Sequence, residues 1–266
     1  MHSTRIAIAS LASLVFAAAA QAAPIALNSP AATYSQSFDS LAASGTNPWA
    51  NDSTINGWSL FTFGGSAPAT IIASNGGSNS GSFTSYGANG DSERALGALG
   101  SGGSYFGSPA SNTVAGYIAV ALQNTSNVAF DSVTVGFDGE QWRNGGNTTA
   151  QTMVMEYGYG ASFAGVTTWT ATGFDWTSPV TGSTAAAVVG NTAGLVSGVG
   201  GTLATAWVPG DTLWLRWIER NDTGNDHGLA IDNFQVSVTA IPEPGTVALL
   251  LAGLAGVGFV VRRRRV

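Results

Sequence analysis

SVTVGF, residues 132–137, sets Val133, Val135 and Phe137 on one side of an extended chain and Ser132 and Thr134 on the other. Side chains of a strand alternate with period two, so this run predicts a half-buried β-strand. The pattern recurs. Met153, Met155, Tyr157 and Tyr159 alternate with Thr152, Val154 and Glu156, and residues 117–122, 212–218 and 229–238 give further short runs. Gly- and Asn-rich turns separate them, and no stripe of period 3.6 competes. The reading is an all-β fold, an antiparallel sandwich. With no internal repeat and an even composition, residues 23–240 are expected to form one domain, in which the glycine-rich segments 74–81 and 97–104 are loops.

Both ends of the chain differ from this body. A charged start reaching Arg5 precedes an apolar run over residues 6–20, and Ala20-Gln21-Ala22 offers the small residues a signal peptidase needs. Residues 1–22 are therefore expected to be a signal peptide cleaved after Ala22. The other end reads IPEPGTVALLLAGLAGVGFVVRRRRV, residues 241–266. Its uncharged run, residues 245–261, would reach about 26 Å as a helix, close to the ~30 Å of a hydrocarbon layer. Arg262, Arg263, Arg264 and Arg265 follow, and such a cluster holds its flank in the cytoplasm, leaving the body outside. A single C-terminal transmembrane helix is the expectation.

The order Pro242-Glu243-Pro244, apolar stretch, arginine cluster resembles the PEP-CTERM sorting signal of Gram-negative bacteria. That resemblance implies an exosortase-type enzyme as processing partner, export through the inner membrane, and a final place in the envelope, on the cell surface or in the matrix. It also implies an association with exopolysaccharide and biofilm production. The two prolines suit a processing site, because they keep the segment around Glu243 extended and out of helix and sheet.

Between the two signals only Arg94, Arg143, Arg216 and Arg220 are basic, against fourteen acidic residues, a net charge of −10. Such a surface repels phosphate backbones, so no nucleic-acid partner is expected. The absence of cysteine excludes disulfides, thiol chemistry and Cys-ligated zinc. Eight tryptophans are many for so few charges. Most are expected in the core, but an exposed indole matches the apolar face of a sugar ring. Trp142, flanked by Glu140, Gln141 and Arg143, is the predicted platform for a polysaccharide. The oxygen-rich stretch 221–228, with Asp222 and Asp226, reads as an Asx-turn hairpin that could also hold a sugar or cation.

Residues 228–236 contain an apolar phase switch: Leu229 and Ile231 share one parity, Phe234 and Val236 the other. A bulge at Asp232-Asn233, or a strand buried on both faces, would explain it. Together with Phe38-Asp39 in the first strand and Asp52 after Trp49, this terminal strand resembles the MAM-like jelly rolls. The resemblance implies a jelly-roll-like form of the sandwich and calcium held by Asp39, Asp52 and Asp232, although the paired cysteines of those domains are missing and Asn233 replaces a second aspartate. Carboxylates and carbonyls are the oxygen ligands calcium takes.

No enzyme is expected. There is no Gly-x-Ser-x-Gly elbow, no His-Glu-x-x-His and no phosphate loop, and His227 is the sole histidine of the body. The alternative is a secreted hydrolase of a glycan or other extracellular polymer, for which Glu140 with Glu156 or Glu219 could form a carboxylate pair.

Overall fold

The computed structural model describes residues 23–100, 105–240 and 244–263. The predicted signal peptide, Pro242, Glu243, Arg264 and Arg265 lie outside them. In chain order the strands are β1 (Ile25–Leu27), β2 (Thr33–Gln36), β3 (Thr46–Pro48), β4 (Trp58–Thr62), β5 (Thr70–Ser74), β6 (Ser82–Tyr86), β7 (Ala95–Leu99), β8 (Thr113–Asn124), β9 (Phe130–Asn144) and β10 (Thr152–Tyr159). They continue as β11 (Thr170–Ala171), β12 (Trp176–Thr177), β13 (Ala186–Ala187), β14 (Leu195–Trp207), β15 (Thr212–Asn221) and β16 (Gly228–Thr239), and the helix α1 (Pro244–Arg263) follows.

Two sheets result. The first has seven strands on the path β1-β8-β15-β10-β11, with β4 also on β8 and β12 also on β10. The second has nine on the path β13-β9-β16-β7-β6-β5-β3, with β14 also on β9 and β2 also on β16. The β1–β8 and β5–β6 pairs are parallel and the others antiparallel. The mostly antiparallel two-sheet sandwich agrees with the alternation of residues 132–137, whose Val133, Val135 and Phe137 are buried.

Aromatic rings join the sheets. Trp58 of β4 stacks on Trp217 of β15 with ring centres 5.8 Å apart, and Phe234 of β16 meets both edge-on at 5.2 and 5.7 Å. Phe38 and Phe137 close the cluster against Trp58 and Trp217. Edge-to-face packing of this kind adds to the burial of large apolar surfaces. Seven of the eight tryptophans are buried, so the expectation that most serve the core holds.

One expected loop is partly a strand. Residues 97–99 belong to β7, paired with both β6 and the start of β16. A side chain at Gly97 would strike Leu229 O and Ala230, so the glycine marks a close approach between strands. The helix α1 covers the predicted apolar run and leaves Leu249, Leu250, Leu251, Leu254 and Val257 exposed. Among the described residues, no helix is long and apolar enough to cross a membrane.

Candidate functional site

The phase switch of β16 is a bulge. Its pairing with β9 slips between Asp232 and Gln235, and Asn233 takes a left-handed backbone with φ 50°. Before the slip the strand is buried on both faces; after it Asn233, Gln235 and Thr239 are exposed while Phe234, Val236 and Val238 stay buried. Both sequence explanations thus hold, each for one half of the strand. Asn233 donates through Nδ2 to Asp138 at 2.9 Å.

Directly at the bulge, Asp232 comes together with Glu140 of β9 and Glu93 of the loop before β7. One carboxylate oxygen of each lies within 4.8 Å of the other two. Asp232 and Glu140 are only 3% and 2% exposed. Trp142 Nε1 donates to Glu140 Oε2 at 2.8 Å, and the backbone of Asn233 donates to Asp232. Glu93 Oε1 and Asp232 Oδ1 are buried with no hydrogen-bond partner. Burial pushes the Glu140 carboxyl up to about 7, despite the indole bond and with the neighbouring acids adding to the rise. Desolvation raises Asp232 as well, again reinforced by Glu140 and Glu93.

The acidic set is therefore not the one expected. Asp39 does not join it. Its carboxylate accepts from Ser37 Oγ at 2.9 Å and from the backbone N–H of Arg94 at 3.1 Å, so it anchors the segment carrying Glu93. Asp52 closes a turn, accepting from Gly57 N at 2.7 Å and from Ala23 N. Glu93 escaped the sequence reading, although Asp91, Glu93 and Arg94 are the only charges between Asp52 and Asp131, a signal that could have singled them out.

Trp142 is not an exposed platform. It is 2% exposed and packs with Tyr86, Ala95 and Ala230 on the side of the second sheet away from the aromatic core. Its ring lies parallel to that of Tyr86, and a side chain at Gly190 would run into it. The polar neighbours face inward too. Gln141 bonds the backbone of Val180 and Arg143, and Arg143 donates to the carbonyls of Gly76 and Gly77 at 2.9 and 3.2 Å. Buried polar groups need such partners, and backbone carbonyls supply them here.

Residues 222–227 form a second polar turn. Asp226 is buried and accepts from Asp222 N at 2.6 Å, while burial raises Asp226 to about 7 and moves Asp222 in the same direction. Glu219 beside them is almost fully buried and lifted well above the ordinary range, by desolvation first and by Asp226 and Asp222 next. His227 Nδ1 accepts from Gly145 N at 3.0 Å, and burial lowers its pKa, keeping the ring neutral. Of the carboxylates considered for hydrolysis, Glu140 belongs to the second sheet and Glu156 and Glu219 to the first, where Glu156 is held in an ion pair with Arg216.

The outer side of the first sheet carries the aromatic group that sequence reasoning did not single out. Trp169 is the tryptophan left half-buried. The Arg216 guanidinium lies 3.9 Å from its ring centre and 4.6 Å from that of Tyr117. Arg216 Nε donates to Glu156 Oε2 at 2.8 Å in an ion pair. Phe163 leans on Trp169 at 5.2 Å and stacks on Phe61 at 4.1 Å.

At the C-terminus, Pro244 opens α1, where a missing backbone N–H costs nothing, and Arg262 and Arg263 close it. Residues 240–265 match the PEP-CTERM protein-sorting motif. The motif implies an exported protein, sorted by exosortase and processed at the membrane of a Gram-negative bacterium. No curated protein matches the chain. A solved structure, the CBM22-1 xylan-binding domain of Paenibacillus barcinonensis Xyn10C, is similar at 11% identity and a TM-score of 0.37, over 79% of this chain and 95% of that one. So loose a superposition defines no feature of the present site.

Proposed function

We propose that this chain is a non-catalytic polysaccharide-binding or biofilm structural protein of the cell envelope, cell surface or extracellular matrix. In this reading the 1–22 leader is removed on export. The apolar C-terminal run holds the chain at the inner membrane transiently while exosortase acts at the Pro-Glu-Pro segment, and residues 23–240 remain as the working domain. The motif match at residues 240–265 supports the delivery route.

The observation that carries the binding reading is Trp169, held on Arg216 with Tyr117 and Glu156 alongside. The guanidinium covers one indole face and Phe163 leans on the ring, which together fix it, and the half-exposed remainder of the indole is offered to the C–H face of a sugar. The Arg–Glu pair beside it offers charged donors and acceptors for hydroxyl groups, and its geometry is set before any ligand arrives. A ligand of neutral or weakly basic sugars suits a body of net charge −10.

The test is a glycan array and retention on exopolysaccharide, using the full chain and a Trp169→Ala variant. Retention weakened at least tenfold in the variant, with no sugar released, supports the reading. Equal retention by both proteins removes Trp169 from it, and released oligosaccharide overturns the non-catalytic role.

A further inference from the structure

We infer that Glu93, Glu140 and Asp232 form a calcium site on the outer side of the second sheet, at the bulge of β16. Three carboxylates brought within 4.8 Å of one another repel strongly once ionised, and burial removes the water that would screen them. The protein supplies few donors in return. Trp142 Nε1 serves Glu140, the backbone of Asn233 serves Asp232, and Glu93 Oε1 and Asp232 Oδ1 are buried with no donor group, the Asp232 carboxyl having only that of Glu93 to share a proton with. Neither nearby arginine forms an ion pair with the acids: Arg94 feels Glu93 through space but donates through Nε to Ser85 Oγ at 2.9 Å, and Arg143 is committed to the carbonyls of Gly76 and Gly77.

A divalent cation resolves all of this at once. It neutralises the acids and gives the orphaned oxygens a partner. The donors are all oxygen, which selects a hard ion, and the burial of Glu140 and Asp232 leaves little space for the tightly held water shell of magnesium. Calcium would then join three pieces distant in sequence: the central strand β9, the bulge of β16, and the 91–94 segment that Asp39 anchors. Asp39 acts here as a positioning residue, one step behind the ligands, and Asp52 takes no part.

The site is on the sheet opposite Trp169, so it stands or falls apart from the glycan reading. The experiment is calorimetric titration of the metal-free full chain with calcium at pH 7.5, with melting curves in calcium and in EDTA. One calcium per chain and a melting point several degrees higher in calcium are expected. Glu140→Gln and Asp232→Asn should abolish both effects. Glu93→Gln, at the more open rim, should weaken calcium at least tenfold while folding normally, and Trp169→Ala should change neither quantity. Identical melting in calcium and EDTA, or undiminished calcium binding by Glu93→Gln, overturns the site.

Discussion

Strands β9 and β16 build two buried clusters from one pair of backbones, and the two obey opposite rules. On the inner side Phe137 and Phe234 meet Trp58 and Trp217 with no charge among them. On the outer side, Trp142 and Ala230 sit beside Glu140 and Asp232. The first cluster gains from every group it removes from water. In the second, apolar burial must offset carboxylates with too few donors. The same amount of burial therefore means self-sufficiency in one place and dependence on protons or a cation in the other.

The largest effect should come from breaking the inner cluster. Phe234→Ala removes the ring that touches both stacked tryptophans and should lower stability by about 3–5 kcal/mol. The loss, measured by denaturant unfolding, should be the same at pH 5 and pH 8. A loss that differed between the two would mean the clusters are not independent.

The outer cluster should respond to pH instead. Glu140 ionises near 4.5 unfolded but at about 7 in the fold. Because its folded pKa is raised, the native state holds the extra proton between these values, so stability is highest below 4.5 and declines until pH 7. The decline from this group alone is roughly 3 kcal/mol in the metal-free chain. Asp232, Asp226 and Glu219 shift in the same direction and deepen it. Glu140→Gln should flatten the profile measurably; an unchanged slope in that variant would separate Glu140 from the acid response.

How much of this contrast can be read from the chain depends on whether a signal is local. The phase switch at Asp232-Asn233 is local, since parity along one strand reports which face is covered, and it locates the bulge correctly. The surroundings of Trp142 are not. A tryptophan among Glu140, Gln141 and Arg143 looks the same whether those side chains meet solvent or the carbonyls of Val180, Gly76 and Gly77, and the partners come from loops far along the chain. Glu93 was hidden for the same reason: only the pairing of β7 with β16 brings its loop to the bulge. Asp39 was placed one contact short, close to the acids but spent on the Arg94 backbone.

A third aromatic group sharpens the comparison because it is neither core nor charge-stressed. Trp169 rests on an ion pair at the surface of the first sheet. Trp169→Ala should cost tenfold in glycan retention, about 1.4 kcal/mol, while leaving unfolding within about 1 kcal/mol of the parent. A drop in stability as large as that of Phe234→Ala would reassign the ring to the fold.

The smallest effect concerns a carboxylate that does have a cation to meet. Asp52, with φ 62°, accepts from Gly57 N and from Ala23 N. On the proposed cleavage after Ala22, that Ala23 nitrogen would become the α-ammonium of the mature chain, with an ordinary pKa of about 8. The hydrogen bond becomes an ion pair that raises the amine's pKa, so its contribution is complete below pH 8 and fades as pH rises through the folded value. Asp52→Asn should therefore cost about 0.5–1 kcal/mol in the processed protein at pH 6 and less at pH 10. In a chain that retains residues before Ala23 the nitrogen is an uncharged amide, and the same substitution should show no such pH dependence. The outer acid cluster loses stability from pH 4.5 to 7 and this pair only above 8, so one pH series on the processed and unprocessed chains distinguishes a carboxylate buried without a counter-charge from one that export itself supplies.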